Sequence, residues 1–233
     1  MTTRTPKKER ERPSLSILCE MYGAAEDPSA MQYWYGTNGW AWCQDYMKAA
    51  AKVGSTFHDA LEVWERTGVK PPVADPRESF MADLGIQWLQ QTGAEAAEVI
   101  QDGEQKKAIE LVVTSKSLDF TARLDRVHVF KKSNAPNTPW IGDYKTASEL
   151  HQKNVLQLCG GAFGFFELTG VWVDQGYLLR FEKNPNKYPQ LKCQPVYGLH
   201  RWLPILKKMR QLWGHFERKD EWNDYGKYGD KLM

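Results

Sequence analysis

The sequence predicts a mixed α/β (α+β) protein in which a central mixed, largely antiparallel sheet is flanked by helices. Apolar residues recur at helical spacing in the first third of the chain. After Gly93, short runs rich in Val, Ile, Phe and Leu alternate with turn residues, as in a meander. Helical pattern then returns twice, which places helices on the faces of the sheet.

Length and composition describe an ordinary globular chain. It has 233 residues, of which 42% are hydrophobic and 26% charged, so it can bury a core and is not disordered throughout. No apolar run approaches the ~20 residues of a membrane span, and the N-terminus lacks the apolar centre of a secretory signal. We therefore expect a soluble, intracellular protein. The net charge of +2 neither requires nor excludes a nucleic-acid partner.

The chain divides into a short tail and one domain. Residues 1–13 are expected to be a flexible tail, and residues 14–233 a single domain with a helical lobe over 14–92 and the sheet and last helix over 93–233. The lobe would hold one long helix over Gly39–Thr67, or two with a joint at Gly54, and a further helix over Arg77–Thr92. Later helices are expected over residues 147–168 and 199–218. Strands are expected over residues 97–101, 108–114, 118–130, 140–145, 171–182 and 191–197.

Charged residues occur inside two of the expected strands. Asp125 lies in the apolar run FTARLDRVHVF, where a carboxylate is costly unless it is paired or binds a cation. Asp143 and Lys145 stand two residues apart in WIGDYKTA. On a strand both would face one side, roughly 6.6 Å apart, with Tyr144 pointing away. His58 lies on the long expected helix.

Two carboxylates, a lysine and a histidine together predict a site for a hard cation. Oxygen ligands from Asp125 and Asp143 suit Mg²⁺ or Mn²⁺, and a metal there would activate water and stabilise charge on a phosphate. Lys145 would orient the attacking water or neutralise the developing charge. Each residue also has a simpler interpretation. Asp143 and Lys145 could form an ordinary ion pair, Asp125 could be a surface carboxylate, and His58 an ordinary helix residue.

Taken in chain order, these residues resemble the PD-(D/E)xK nuclease superfamily, in its RecB-like branch of phage-type, CRISPR-associated and mitochondrial genome-maintenance exonucleases. The resemblance covers most of the chain, from residue 13 to about residue 166. Two positions depart from the family pattern, Ala122 in place of a glycine and Gly161 in place of a tyrosine. The motifs present are Pro13-Ser14-x-Ser16, Gly54-x-x-x-His58, Ala122-x-x-Asp125, Asp143-Tyr144-Lys145-Thr146 and Gln157.

The resemblance implies a restriction-endonuclease-like core and a role for each matched residue. Lys145 would be the catalytic lysine, acting with Asp143 and Asp125. Glu110, in AIELVV, stands where relatives often carry a glutamate and would be a further metal ligand. Gln157 would orient the site or the DNA strand. The metal ligands would be His58, Asp125, Asp143 and the backbone carbonyl of Tyr144.

The activity that the resemblance implies is a Mg²⁺- or Mn²⁺-dependent deoxyribonuclease, an exonuclease acting on free or single-stranded DNA ends. Such an enzyme would work in replication, recombination or repair, with proteins of those processes as partners, in a bacterium or a phage-infected cell. Two alternatives stay open: an endonuclease using the same site, and a non-catalytic DNA-binding or recombination-partner module with the nuclease fold.

Two further expectations concern cysteines and basic residues. Some relatives hold an iron–sulfur cluster on one early and three late cysteines. The four cysteines here are scattered, at positions 19, 43, 159 and 193, so we expect no cluster. Lys207 and Lys208 on the last expected helix would contact DNA phosphates, or would form a solvated helix face.

Overall fold

A computed structural model describes most of the chain. It covers residues 12–26, 33, 36–146, 150–181 and 190–216. Four predicted segments lie partly outside it: the tail at residues 1–11, a helix at residues 147–149, a strand at residue 182 and the last helix at residues 217–218. Within the described part of the tail, Arg12 pairs with Asp119 at 2.8 Å, and the Pro13 carbonyl accepts a hydrogen bond from Thr121 N.

The helices and strands follow the predicted order. In the described residues they are α1 (Leu15–Glu26), α2 (Trp40–Thr67), α3 (Pro76–Thr92), β1 (Ala94–Ala96), β2 (Glu98–Gln101), β3 (Glu104–Lys107), β4 (Ile109–Ser115), β5 (Phe120–Phe130), β6 (Pro139–Thr146), α4 (Gln152–Thr169), β7 (Gln175–Phe181), β8 (Leu191–Tyr197), a 3₁₀ turn (Leu199–Trp202) and α5 (Leu203–Phe216). The strands β1 and β3 are short and were not predicted.

The main sheet is mixed and largely antiparallel. Its strands lie in the order β1-β5-β6-β7-β8, with β4 also paired to β5, while β2 and β3 form a separate hairpin. Only β6 and β7 pair in parallel among the described strands, and α4 makes the crossover between them. The predicted fold class is confirmed.

Helices cover both faces of the sheet. One core contains Leu18 of α1, Leu156 of α4 and Leu206 of α5 together with residues of β4 to β7. The opposite core contains Phe57 of α2 and Met81 of α3, packed against other residues of β6 and β7. Among the described residues, no helix has the length and apolar character needed to cross a bilayer.

The helix α2 is continuous through Gly54, so the alternative of two helices with a joint there is wrong. A Cβ at this position would lie 3.3 Å from the hydroxyl oxygen of Thr146. The glycine therefore allows α2 to lie close to the end of β6 and does not break the helix. Because His58 is four residues further along the same helix face, this approach brings its ring to the end of β6.

Glycines of α4 bring that helix equally close to the other face of the sheet. A Cβ on Gly161 would lie 2.7 Å from Ile141 Cδ1 and 2.8 Å from Leu124 Cδ2, and one on Gly164 would lie 2.5 Å from Val113 Cγ2. The backbone of α4 at Gly161 therefore lies against the sheet, and a side chain there would displace Ile141 and Leu124.

We predict that Gly164→Ala lowers the free energy of unfolding by about 1–3 kcal/mol, because the buried Val113 has a stiff χ1 and cannot move aside. Urea unfolding measures the change. The matched control is Gly36→Ala, since nothing lies within 4 Å of a Cβ built there. Equal stability of the two variants would contradict the close packing of α4.

Candidate metal centre and its lysine

The candidate residues meet where β5 and β6 separate. The ladder between these strands ends at the pair Arg126↔Gly142, so Asp125 and Asp143 stand just beyond the paired residues. The backbone N–H of Tyr144 lies beyond the backbone ladder with β5 and donates to the side chain of Asp125, at Oδ2, over 2.9 Å. The carboxylate thus takes the place of a strand hydrogen bond, which fixes its orientation.

The third strand of the site is β4, which lies on the other side of β5. Its ladder pairs Ile109 with Arg126 and Leu111 with Leu124, which places Glu110 across from Asp125. The backbone of Glu110 has φ +50°, in the left-handed region that a residue with a side chain rarely adopts. Such a conformation costs on the order of 1–3 kcal/mol and persists only where its surroundings enforce it.

His58 reaches the site from α2. Its Nε2 lies 3.1 Å from the Tyr144 carbonyl oxygen. A carbonyl only accepts hydrogen bonds, so Nε2 carries the proton, and Nδ1 faces Glu110 Oε1 and Asp125 Oδ2, each at 3.6 Å. A backbone acceptor on one ring nitrogen commonly orients the other toward a metal. The carbonyl of Tyr144, expected as a metal ligand, is here the acceptor for His58.

His58, Glu110 and Asp125 form a group that fits a divalent cation. One potential ligand atom from each lies within 4.8 Å of the other two, and all three residues are partly buried. One imidazole nitrogen with carboxylate oxygens suits Mn²⁺ and, through the oxygens, Mg²⁺. Glu110, for which the sequence offered the least support, is thus as central as the two residues predicted from the strand and helix patterns.

Asp143 lies beside this group and holds Lys145. Its Oδ1 accepts a hydrogen bond from Lys145 Nζ at 2.8 Å, while the buried Oδ2 has no hydrogen-bond partner among the described residues. Burial raises the pKa of Asp143, Lys145 lowers it, and Asp125 raises it further, to about 7. This oxygen is therefore available as a ligand for a cation. The role of Asp143 as a ligand stays a prediction.

Lys145 stays positively charged at this position. Burial lowers its pKa, but the charges of Asp143 and Asp125 outweigh burial and leave the pKa above its ordinary value. Its Nζ also donates to Gln157 Oε1 at 3.1 Å. As expected, Asp143 and Lys145 share one side of β6, and Tyr144 points away into the core with Phe57.

A buried ion-pair network that was not predicted stands behind the site. Arg126 is fully buried and pairs with Glu65 of α2 and with Glu110, and His128 Nε2 lies 2.8 Å from Glu65. Sequence spacing carried a signal for this network. Glu65 lies seven residues after His58 and so on the same face of α2, and Arg126 and His128 lie two apart on β5.

Electrostatic effects of this network reach Glu110 and His58. Burial raises the pKa of Glu110, but the neighbouring His58 and the charge of Arg126 outweigh it, so the pKa lies below its ordinary value. For His58, burial lowers the pKa, while Glu110 and Asp125 raise it more, so the net direction is upward. Without a cation, the carboxylates therefore favour a protonated imidazole.

Lys207 and Lys208 lie away from the residues just described. Both are exposed on α5, and Lys207 lines a surface cavity together with Asp119 and Arg210, beside the turn between β4 and β5. Their contact with DNA stays a prediction.

The cysteines do not form a cluster-like set in the described residues. Cys19, Cys43 and Cys159 are buried, and Cys193 is exposed on β8. Burial raises the pKa of Cys19 and of Cys159 to about 12, which keeps both as thiols. The expectation that the protein has no iron–sulfur cluster stays a prediction.

Comparison with known proteins gives structural likenesses of low identity. No protein-family model and no curated protein matches the chain. An alkaline exonuclease from Laribacter hongkongensis (LHK-Exo) in complex with dAMP aligns with a TM-score of 0.43 and 10% identity over 96% of this chain and 95% of that one. A second structure of LHK-Exo aligns with a TM-score of 0.40 and 12% identity over 77% of this chain and 86% of that one. The structure of SSO0001 aligns with a TM-score of 0.35 and 12% identity over 90% of this chain and 79% of that one. With TM-scores below 0.5, these likenesses carry no conclusion about function.

We predict that, in EDTA, the free energy of unfolding falls between pH 5 and pH 7. The folded state holds a proton on Asp143 up to about pH 7, whereas the unfolded state releases it near 3.8, so raising the pH favours unfolding. One linked proton limits the slope to about 1.4 kcal/mol per pH unit. Glu65 and Glu110 have lowered pKa values and titrate below this window.

Urea unfolding at pH 5, 6 and 7 measures the slope, with Asp143→Asn as the comparison. The variant should flatten the profile, because it removes the group that titrates in this window. His58 adds a decline in the same direction at the upper end of the window, and Glu110 and Asp125, which raise its pKa most, remain in both proteins. The same slope in both proteins would contradict the assignment to Asp143.

Proposed function

We propose that this protein is a nuclease that uses Mg²⁺ or Mn²⁺ to hydrolyse phosphodiester bonds of DNA. The observation that supports the proposal is the meeting of His58, Glu110 and Asp125 within 4.8 Å of one another, next to a lysine held by an aspartate. Metal, water and a positive group are the parts that phosphodiester hydrolysis needs.

The balance of charge favours a divalent ion. Four acidic side chains of the site and its network face two permanently charged basic ones that are buried or partly buried. The acids are Glu65, Glu110, Asp125 and Asp143, and the bases are Arg126 and Lys145. With a neutral imidazole and an ionised Asp143, two negative charges remain in excess, which one divalent cation would neutralise. Without the cation, protons on His58 and Asp143 reduce this excess. An excess of negative charge is costly in a partly buried site unless protons or a cation offset it.

When bound, the metal would lower the pKa of a coordinated water and neutralise charge on the phosphate. Its ligands would be His58, Glu110 and Asp125, with Asp143 and the Tyr144 carbonyl as further donors. Lys145 keeps its proton, so it does not act as a base. Held by Asp143 and Gln157, it would donate hydrogen bonds to a phosphate oxygen or to the attacking water.

We further propose that the substrate is DNA with a free or single-stranded end, which makes the enzyme an exonuclease. This part of the proposal rests on the resemblance of the motifs around His58, Asp125 and Asp143–Lys145. An endonuclease on the same site and a binding module without turnover remain the alternatives.

We expect Lys145→Ala to reduce cleavage of end-labelled single-stranded DNA by roughly 10²–10³-fold while DNA binding is retained, because the lysine stabilises charge that develops in the chemical step. EDTA should abolish cleavage, and Mg²⁺ or Mn²⁺ should restore it. The matched control is Lys116→Ala, which removes an exposed lysine in the turn between β4 and β5. Gel or capillary assays of product length give the rates.

The substrate form separates the alternatives. Covalently closed circular single strands should stay intact with an exonuclease, whereas an endonuclease would open them. Cleavage that continues in EDTA, or a Lys145→Ala variant as active as the control, would refute the proposed site. Tight DNA binding without cleavage under either metal would favour the binding module.

We also predict that a Lys207→Ala/Lys208→Ala variant lowers the salt dependence of DNA binding. Each lysine that contacts a phosphate of a single strand contributes about 0.7 to the slope of log K against log salt, so loss of both reduces it by about 1.4. Fluorescence anisotropy at several salt concentrations measures the slope. As control, Lys106→Ala removes a lysine that already faces Asp102 and Glu104. Equal slopes for the double variant and the wild-type protein would mean that these lysines form a solvated helix face and do not contact DNA phosphates.

A further inference from the structure

Arg126 carries a fully buried charge that the proposed chemistry does not use. Its side chain is 0% exposed. The Nε donates to Glu65 Oε1, while Nη1 donates to Glu110 Oε1 at 3.0 Å and to the Asp125 carbonyl oxygen at 2.6 Å. The guanidinium also lies 5.2 Å from the centre of the Tyr144 ring. One side chain therefore contacts three residues at which the candidate metal centre is built.

A guanidinium is suited to this place because its donors are fixed in one plane. Two of them bind carboxylates on different elements, Glu65 on α2 and Glu110 on β4, and so tie the helix to the strand. Glu110 needs such a tie, because its backbone has φ +50° and its side chain must turn toward His58. The exposed Arg123 contacts the other oxygen of the same carboxylate, with its Nε 3.1 Å from Glu110 Oε2.

The geometry points to Arg126, backed by Glu65, as a positioning residue of the metal centre. It holds Glu110 and the backbone of Asp125 at their places before a cation binds, so that the ligand group is preorganised. The inference rests on the proposed metal centre and adds a function to residues that touch neither metal nor substrate. Orienting groups of this kind commonly account for 10–100-fold in metal affinity.

The test is Mn²⁺ binding to the full chain, measured by calorimetry and by the electron paramagnetic resonance of Mn²⁺. Arg126→Lys keeps the charge but loses the planar fork, so it cannot hold Glu65 and Glu110 together. We expect its Mn²⁺ affinity to fall roughly 10–100-fold. Cleavage should fall at low Mn²⁺ and recover when Mn²⁺ is raised. A general loss of structure would not be corrected by added metal in this way.

Tyr177→Phe is the matched control within the same buried network. It removes the contact of the Tyr177 hydroxyl with His128, and Tyr177 makes none of the hydrogen bonds of Arg126 described above. We expect wild-type Mn²⁺ affinity from this variant. Far-UV circular dichroism and cooperative unfolding establish whether each variant folds. If Arg126→Lys does not fold, the paired variant Arg126→Met/Glu65→Gln replaces it, because it removes the buried cation together with its buried anion.

The outcomes separate this inference from the proposed function. If the wild-type protein binds no Mn²⁺, the metal centre itself is refuted. If the wild-type protein binds Mn²⁺ and a folded Arg126 variant binds it equally well, only the positioning role is refuted. Weaker binding by the folded Arg126 variant, together with unchanged binding by Tyr177→Phe, supports the inference.

Discussion

Repulsion among carboxylates is the constraint on which this site depends. Glu110, Asp125 and Asp143 come from three adjacent strands and lie in a space largely shielded from water, where like charges interact strongly. Each is offset by a different partner. Arg126 and Arg123 bind Glu110, the Tyr144 N–H binds Asp125, and Lys145 binds Asp143.

These compensating contacts also explain the local backbone. The strands β5 and β6 separate after Gly142, and the free N–H of Tyr144 turns to a carboxylate. Glu110 adopts a rare conformation that directs its side chain toward His58. Departures from regular strand geometry thus concentrate where the functional side chains meet, as is common at sites that must hold a ligand.

Charge compensation remains incomplete in the protein alone. Asp143 retains a buried oxygen without a partner among the described residues, and its pKa is raised by burial. The pKa of His58 is raised by the acids around it. Burial is the main cause of the shift at Asp143, whereas the surrounding carboxylates cause the shift at His58. A bound cation would offset the charge of these carboxylates, and the chemistry that we propose depends on that cation.

The sequence by itself determined the helix and strand order, the shared face of Asp143 and Lys145, and the helix that carries His58, because periodicity and spacing along one element fix which way its side chains point. Only the tertiary structure decided that Glu110 joins His58 and Asp125, that Asp143 holds the lysine, and that Arg126 lies buried between Glu65 and Glu110. These contacts join elements far apart in the chain, since Glu65 and Arg126 are 61 residues apart. They depend on how closely α2 and α4 approach the sheet, which local patterns do not encode.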